Sequence, residues 1–302
     1  MKVAITGANS SVGINLLSTI VRDTQFEVIA GIRSEKAIAA LPTSPHIEPR
    51  IISYDNAAGL ARSLADADIV VHLAGILIET GHSNYSNGNV DATAVAVAAA
   101  EQIDARHLFL VSVVGADAQS ENRYFASKGL AEAAVQQGGV PATIIRTPIL
   151  LGGHTAGTQA LVNAAKKPKA AVLGGGNYTV RPLDIDDLSK AILNCFEDIG
   201  GHSTQDPQIA IHELAGPEPI TYRKLIELVA GMMGNKVAIV SIPIWLAKFA
   251  ARLRGLLRSG GITPTVIDVI TADELIAANA DVDLRLTLTP LETTVKKILE
   301  QR

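Results

Sequence analysis

A tyrosine and a lysine stand four residues apart in the segment YFASK, at Tyr124 and Lys128. On a helix this spacing places both side chains on one face. A phenol with an ordinary pKa of about 10 is a weak base near neutral pH, and a nearby ammonium group lowers that pKa by favouring the phenolate. The pair therefore suits proton transfer to a carbonyl oxygen whose charge changes during hydride transfer. Chance occurrence of the same spacing is the alternative.

A second chemical feature lies near the start of the chain, in TGANSSVG at 6–13, between the first predicted strand and the first predicted helix. A phosphate can approach such a turn because helix N–H groups point towards it. Gly7 suits the tight turn and Gly13 suits close packing of the helix on the strand. Ser10 and Ser11 replace the usual middle glycine, and their hydroxyls can donate to a phosphate. The alternative is a plain strand–helix turn capped by one of the two serines.

The end of the second predicted strand distinguishes between two dinucleotides. An acidic residue there usually binds the ribose 2′-hydroxyl of NAD. The sequence instead has Arg33, Ser34 and Lys36, and a guanidinium with a neighbouring ammonium suits a 2′-phosphate. NADP(H) is therefore favoured over NAD(H), although Glu35 argues against it. The alternative is that the two cations are solvated loop charges.

Further residues are predicted to line the same cofactor site. Asp55 follows the third strand and is expected near the adenine. HLAG at 72–75 brings the backbone of the fourth strand against the adenosine ribose. Asn89 either orders a water or a helix kink in the site or caps a helix. The complete predicted cofactor set is Gly7, Asn9, Ser10, Ser11, Val12, Gly13, Arg33, Lys36, Asp55, Leu73, Ala74, Gly75, Asn89, Tyr124 and Lys128.

These residues are positioned by alternating strand and helix patterns, which begin with KVAIT and VGINLLSTIVRD. The strand segments are apolar on both faces, which is typical of a parallel sheet covered by helices. The pattern predicts an α/β fold: a doubly wound parallel Rossmann sheet with a smaller, mostly helical C-terminal substrate domain. We expect residues 1–150 to form the Rossmann domain, with 178–197 returning to it and Asp186 capping a helix. Residues 151–177 and 198–302 are expected to form the substrate domain or lid.

Composition excludes several classes of protein. The 302 residues are 48% hydrophobic and 19% charged, as in an ordinary globular protein. The net charge of −4 and the lack of a basic stripe argue against nucleic-acid binding. The single cysteine, Cys195, permits no internal disulfide and suits a reducing cytoplasm. No signal stretch or apolar run of about 18 residues is found, and His202 and His212 lack metal-ligand spacing.

The most distinctive C-terminal feature is IPIWLAKFAARLRGLLRSGGI at 242–262. Its large apolar residues share one side of a helix, and Lys248 and Arg252 lie on another. Such a helix can rest on anionic lipid or on a partner protein through 242–258. Alternatively, it packs its apolar face on the body of the protein or covers the substrate pocket. The apolar side is formed by Trp245, Leu246, Phe249, Leu253 and Leu256.

Taken together, these motifs resemble the extended short-chain dehydrogenase/reductase family over residues 1–195. The resemblance rests on the glycine turn, HLAG, NV at 89–90 followed by DAT, and YFASK followed by GLAE. The weakened turn and the basic end of the second strand are similar to the atypical branch of that family. This branch includes the NADPH-holding accessory subunit of respiratory complex I.

The resemblance implies that Tyr124 is the general acid/base, that Lys128 is its partner, and that a hydroxyl at the end of the fifth strand polarises the carbonyl. Only Ser112 supplies a hydroxyl there; alternatively Val113 occupies the polarising position and Ser112 is a structural neighbour. A missing donor costs about 10²–10³ in rate. We expect an NADP(H)-dependent oxidoreductase with a small-molecule substrate, cytoplasmic or peripheral to a membrane. A sugar-nucleotide epimerase with retained cofactor, a non-catalytic NADPH-binding protein and a homodimer remain alternatives.

Overall fold

The computed structural model describes residues 1–153, 155–199, 209–257 and 260–301, without the side chains of 198, 256 and 257. His202 and the Leu256 side chain therefore lie outside it. The strands are β1 (Lys2–Thr6), β2 (Glu27–Ile32), β3 (Ile47–Ile51), β4 (Ile69–His72), β5 (His107–Val113), β6 (Ala142–Thr147), β7 (Leu150–Leu151), β8 (Lys169–Leu173), β9 (Thr179–Val180), β10 (Leu183–Asp184), β11 (Ile209–Glu213), β12 (Ile220–Thr221) and β13 (Ala238–Ile242).

The α-helices alternate with many of these strands along the chain. They are α1 (Ser11–Asp23), α2 (Ala57–Ser63), α3 (Ala92–Gln102), α4 (Arg123–Gln136), α5 (Ala156–Ala165), α6 (Ile185–Asp198), α7 (Tyr222–Met232), α8 (Ile244–Leu257), α9 (Pro264–Ile270) and α10 (Leu291–Glu300). Short 3-10 helices span Glu35–Ala40 and Gly174–Gly176, and a π-helical segment spans Ser86–Asp91.

The main sheet has the strand order β3-β2-β1-β4-β5-β6-β11, and each neighbouring pair is parallel. Adjacent residues of one strand face opposite layers: Val3 and Ile5 pack with α1 and α6, and Ala4 packs with α2 and α3. The predicted doubly wound parallel sheet is confirmed. Because the strand order reverses between β1 and β4, a crevice opens at the carboxyl ends of these two strands.

The C-terminal part of the chain builds a third apolar cluster beside the sheet. Helices α5, α7 and α10 contribute Leu161, Leu225 and Val295, which are fully buried there. Three two-stranded pairs, β7 with β10, β9 with β12 and β8 with β13, border this cluster. In the sequence, α5 precedes α6, whereas α7 and α10 follow it. The cluster is therefore built from chain segments before and after α6.

Two of the predicted domain boundaries are wrong. Residues 209–213 were assigned to the C-terminal domain, but β11 pairs in parallel with β6 and forms an edge of the main sheet. The return to the Rossmann unit was placed at residue 178, but Tyr178 and Val180 pack in the third cluster, and Leu183 is the first residue of this stretch in the main core. Both errors have one cause: these pairings join segments far apart in sequence, which local patterns do not show.

Two helix starts also differ from expectation. The N-cap of α6 is Asp184, whose carboxylate accepts from the backbone N–H of Asp186 at 2.9 Å. Asp186 therefore lies in the first turn rather than at the cap. Asn89 is likewise no N-cap, because it lies inside the π-helical segment that leads into α3. A π-helical turn is a local irregularity of a helix. This position agrees with the other interpretation of Asn89, in which the residue lies at a helix kink.

Helix α8 turns its apolar side chains outward. Trp245 is 71% exposed and Phe249 is 56% exposed, so the alternative in which this face packs on the body of the protein is wrong. Lys248 forms an ion pair with Asp268 of α9. Across the described ranges, no helix is long and apolar enough to span a membrane.

Candidate functional site

The glycine turn holds the backbone of β1 against the end of β4. Gly7 has a φ of +73°, and a Cβ there would lie 3.0 Å from the backbone nitrogen of Ala74. A Cβ on Gly13 would lie 2.5 Å from the carbonyl oxygen of Ala8. Ser10 caps α1, because its hydroxyl oxygen accepts from the N–H of Gly13 at 3.0 Å. The turn is therefore as compact as a pyrophosphate-binding loop requires.

A cleft of about 1010 Å³ opens above this turn, at the crevice between β1 and β4. It is large enough for a dinucleotide-sized ligand. Eight of the predicted cofactor residues line it: Gly7, Asn9, Ser10, Arg33, Asp55, Leu73, Ala74 and Gly75. The remaining predicted residues do not line it: Ser11, Val12, Gly13, Lys36, Asn89, Tyr124 and Lys128.

The wall of the cleft includes a residue that the sequence analysis missed. Tyr54 lies between the predicted Arg33 and Asp55 on the cleft wall, and its ring packs edge-on against His72 with centroids 5.8 Å apart. Burial raises the pKa of Tyr54, and the positive charge of Arg33 partly offsets this effect. An aromatic residue immediately before Asp55 was the signal that could have identified it.

Tyr124 and Lys128 are positioned by the start of α4. The side chain of Asn122 caps this helix, accepting from the N–H groups of Tyr124 at 3.0 Å and Phe125 at 3.3 Å. Lys128, one turn later, donates from Nζ to the carbonyl oxygen of Val111 at 3.1 Å. Its Nζ also lies 3.9 Å from the point where a Cβ of Gly75 would stand. Lys128 therefore reaches the wall of the cleft at Gly75.

The ionisation of the pair differs from the expectation. Burial raises the pKa of Tyr124 well above its usual value, and the adjacent Tyr85, with ring centroids 5.8 Å apart, adds to this effect. Burial lowers the pKa of Lys128 to about 8, although Glu132 partly opposes the shift. The direction of the Tyr124 pKa shift is therefore opposite to the lowering expected from Lys128, and it is set by burial and by Tyr85.

Ser112 lies at the end of β5 and is almost completely buried. Its side chain lies on the opposite face of the strand from those of Val111 and Val113. It shares its face with Leu108 and Leu110. These two leucines pack in the same cluster as Val135 of α4. The Ser112 hydroxyl has no hydrogen-bond partner among the described residues. Ser112, rather than Val113, therefore faces the layer that contains α4.

Asn89 connects the chain segment after β4 to α4. Its Oδ1 accepts from the N–H of Ile76 at 2.7 Å, and its Nδ2 donates to the Ser127 hydroxyl at 2.9 Å. Ser127 in turn donates to the carbonyl oxygen of Tyr124 at 2.7 Å. Since Ile76 lines the cleft, Asn89 couples the position of the cleft wall to that of the Tyr124 helix without touching the cleft itself.

A buried histidine, also missed in the sequence, lies beneath the glycine turn. His72 Nδ1 is 2.7 Å from the hydroxyl oxygen of Thr6, and both side chains are fully buried. Burial lowers the pKa of His72 to about 3, with a further contribution from the charge of Lys128. His72 is therefore a neutral group that links the ends of β1 and β4. No cluster of potential metal ligands occurs in the part of the chain that the structure describes.

Comparison with known proteins agrees with this geometry. The sequence matches the NAD(P)H-binding family over residues 7–173. It is 27% identical over 236 residues to NADH dehydrogenase (ubiquinone) 1 alpha subcomplex subunit 9, mitochondrial, of Arabidopsis thaliana, covering 73% of this chain and 58% of that protein. It is 26% identical over 282 residues to the ceramide reductase of Caulobacter vibrioides, covering 91% of this chain and 84% of the relative.

Among solved structures, the UDP-glucuronic acid 4-epimerase of Bacillus cereus, in complex with UDP-glucuronic acid and NAD, superposes with a TM-score of 0.74 at 17% identity and covers 100% of both chains. The sheet order, the glycine turn and the cleft at the strand ends define a Rossmann protein, and the epimerase shares this fold. Within that class, the chain belongs to the NAD(P)H-binding family.

Proposed function

We propose that this protein is an NADP(H)-dependent oxidoreductase that acts on a carbonyl or hydroxyl group of a small molecule. The observation that carries the proposal is the reach of Lys128 to Gly75, which connects the Tyr124 helix to the nucleotide cleft. A bound nicotinamide supplies or accepts the hydride. The compact turn at Gly7 and Gly13, with Ser10 capping α1, fits the pyrophosphate of such a cofactor.

Tyr124 is proposed to supply the proton. Because its pKa is raised, Oη carries a proton at neutral pH. This state suits donation to an oxygen that becomes an alkoxide, which is the direction of carbonyl reduction. Lys128, with a pKa of about 8, changes charge close to physiological pH and stabilises negative charge that develops on Tyr124 Oη after the transfer.

Ser112 is proposed to polarise the carbonyl. Its buried hydroxyl has no hydrogen-bond partner among the residues described, and an unpaired buried donor has its hydrogen bond available for a substrate oxygen. Asn89 and Asn122 are proposed as positioning residues, since each fixes the backbone around Tyr124.

The preference for NADP(H) is proposed from Arg33. Its side chain is exposed and lines the cleft, so its guanidinium can form charge-assisted hydrogen bonds with a 2′-phosphate. Lys36, the other predicted cation, is also exposed but lies outside the cleft lining. The phosphate contact is therefore assigned to Arg33.

A second candidate function is a non-catalytic NADPH-binding subunit. The similarity to a protein named as a subunit of NADH dehydrogenase favours it, and this similarity spans 73% of the chain. On this hypothesis the cofactor stabilises the fold, and Tyr124 transfers no proton. A sugar-nucleotide epimerase that retains its cofactor is a third candidate, because the UDP-glucuronic acid 4-epimerase described above, in complex with NAD, has the same fold.

Release of bound nucleotide tests the proposal. The purified protein is loaded with NADPH, chased with excess NADP⁺, and followed by the loss of reduced-cofactor fluorescence. Release within seconds supports an exchangeable cosubstrate, and the protein is then assayed for NADPH oxidation against a panel of aldehydes and ketones. Retention for hours contradicts the proposal and leaves the epimerase or the structural subunit.

Tyr124→Phe then tests the assigned chemistry, with Tyr178→Phe as a control that removes a tyrosine hydroxyl in the third apolar cluster, outside the cleft lining. We expect Tyr124→Phe to lower turnover at least 100-fold while the Kd for NADPH changes less than threefold, because general acid catalysis contributes about 10²–10⁴-fold. Unchanged turnover of Tyr124→Phe would exclude Tyr124 as the proton donor.

A further inference from the structure

The outward face of α8 is an exposed apolar stripe. Trp245, Leu246, Phe249 and Leu253 recur at helical spacing and are 71%, 44%, 56% and 50% exposed. None of the α8 side chains that the structure describes is fully buried. Isolated exposed apolar residues are ordinary, but a contiguous stripe that includes tryptophan and phenylalanine is typical of a surface that is covered in use.

The charge around this stripe is of one sign. Residues 243–267 contain the cations Lys248, Arg252, Arg254 and Arg258 and no acidic residue, although the chain as a whole carries a net charge of −4. Arg252 and Arg254 are exposed, whereas Lys248 pairs with Asp268 at the edge of the segment. Arg252 lies next to Trp245 and Phe249 on the helix, whereas Arg254 lines a small cleft with Glu79 on the side of α8 that faces the body.

Neither of the other positions considered for this helix accounts for the stripe. Apolar packing on the body would bury Trp245 and Phe249, and both are exposed. The side of α8 that contacts the rest of the protein bears a small second cleft of about 320 Å³, lined by Ala251, Arg254, Gly255, Ile262 and Thr263 together with Glu79, Thr80 and Asn84. Trp245 and Phe249 do not contribute to that cleft.

We propose that α8 docks this protein on an anionic lipid surface. Tryptophan and phenylalanine enter the boundary between headgroups and acyl chains, and the neighbouring Arg252 binds an anionic headgroup. A short amphipathic helix of this composition lies in the plane of the interface rather than spanning it. The proposal goes beyond the proposed catalytic function and does not depend on it, because no residue of the stripe lines the nucleotide cleft.

The single tryptophan of the chain makes the test specific to this helix, since Trp245 is the only indole fluorophore. The full-length protein is titrated with vesicles of phosphatidylcholine alone and of phosphatidylcholine with phosphatidylglycerol. We expect a blue shift of Trp245 emission and cosedimentation with the anionic vesicles, with at least tenfold weaker partitioning to the neutral ones. Added salt should weaken binding to the anionic vesicles, because surface charges are screened.

Substitutions that leave Trp245 in place as the fluorescent probe separate the apolar contribution to vesicle binding from the electrostatic contribution. Phe249→Ala with Leu253→Ala should weaken partitioning at least tenfold, and Arg252→Gln should weaken it about fivefold. Val282→Ala, at an 81% exposed apolar residue outside the segment, should have no effect. NADPH affinity should stay unchanged in all variants, which distinguishes failed docking from a failed nucleotide site.

Three outcomes would overturn the proposal. The first is an absence of blue shift and of cosedimentation with the anionic vesicles. The second is equal loss of binding in Val282→Ala and in the α8 variants. The third is a dimer in light scattering that Phe249→Ala with Leu253→Ala converts to monomer, because the stripe would then be covered by a second copy of this chain.

Discussion

The ammonium nitrogen of Lys128 donates a hydrogen bond of 3.1 Å to the carbonyl oxygen of Val111. This bond ties α4 to β5 one residue before Ser112, so the helix that carries Tyr124 is fixed against the strand end that carries the unpaired hydroxyl. The same ammonium lies near Gly75 on the cleft wall. Lys128 thus connects the cleft wall at Gly75, the helix α4 that carries Tyr124, and the strand β5 that carries Ser112.

The position of the Ser112 hydroxyl predicts a specific loss of rate. Ser112→Ala should lower turnover about 10²–10³-fold, because one hydrogen bond to the developing oxyanion is lost. The Kd for NADPH should be unchanged, since Ser112 does not line the cleft. Single-turnover oxidation of bound NADPH by a carbonyl substrate is the measurement.

Val113→Ala provides the matched control for Ser112→Ala. Val113 lies on the other face of β5, so its truncation should affect stability more than turnover. A larger rate loss in Val113→Ala than in Ser112→Ala would contradict the assignment of Ser112 as the polarising group.

The buried lysine predicts a dependence of stability on pH. Because burial lowers the pKa of Lys128 from 10.5 to about 8, the unfolded chain binds its proton more tightly than the folded protein between those values. The free energy of unfolding should therefore rise with pH across this window, by up to about 1.4 kcal/mol per pH unit for one group, and this contribution should be constant below pH 8.

The contribution is measured as the difference between the wild type and Lys128→Met in urea denaturation at pH 7 to 10. Buried tyrosines whose pKa is raised, such as Tyr124, oppose the trend near pH 10 in both proteins, so they cancel in this difference. Lys167→Met, at an exposed lysine, should leave the pH profile of the wild type intact. A pH-independent difference between wild type and Lys128→Met would show that Lys128 keeps an ordinary pKa in the folded protein.

The sequence predicted the part of the fold that rests on local patterns. Val3 to Thr6 read as a buried strand and Gly7 as a turn because their neighbours in sequence are also their neighbours in space. The edge strand β11 was missed, since its residues are half-buried or exposed and carry little apolar signal. Its partner β6 lies more than sixty residues earlier in the chain, and pairing over that distance depends on the whole fold.

The same distinction holds for the candidate site: features set by local sequence could be predicted, and features set by tertiary packing could not. Helical spacing placed Tyr124 and Lys128 on one face. The sequence left open whether Ser112 or Val113 holds the polarising position, and the packing of β5 shows which of them faces the α4 layer. The raised pKa of Tyr124 was not predictable, because it depends on how deeply α4 is buried beside Tyr85. His72 gave no signal for its buried bond to Thr6, which connects two strands that are separated in sequence by β2 and β3.

The residues that line the cleft predict that Arg33, and not Lys36, determines the preference for NADPH. Arg33→Ala should raise the Kd for NADPH about 10–100-fold, because a hydrogen bond between charged groups contributes about 1.5–3 kcal/mol. The Kd for NADH should change less than threefold, since NADH has no 2′-phosphate. Both constants are measured by fluorescence titration of the reduced nucleotides.

Lys36→Ala is the matched control for Arg33→Ala. It removes an exposed positive charge three residues away that does not line the cleft, so it tests for a general effect of charge. If both substitutions weakened NADPH binding equally, the contribution would be long-range attraction and not a contact with Arg33.

The packing of the glycine turn predicts opposite effects of the same substitution at two glycines. Gly13→Ala would place a methyl group 2.5 Å from the backbone oxygen of Ala8. The three nearest atoms, which are the carbonyl oxygen and carbon of Ala8 and the carbonyl oxygen of Gly7, all belong to the backbone. Because backbone cannot rotate aside, α1 must move away from β1, and we expect a loss of more than 2 kcal/mol in the free energy of unfolding, as for overpacking in a core. NADPH binding should weaken as well, since the turn at Gly7 and Ser10 moves with the helix.

Gly231→Ala is the counterpart in α7, where a Cβ would meet nothing within 4 Å. Alanine is favoured over glycine in a helix by about 0.8–1.0 kcal/mol, so this variant should be more stable than the wild type and should bind NADPH unchanged. Thermal denaturation with and without NADPH measures both effects. Equal stability of the two alanine variants would show that the close approach at Gly13 does not restrict the turn, and the structural basis for the pyrophosphate site would then be wrong.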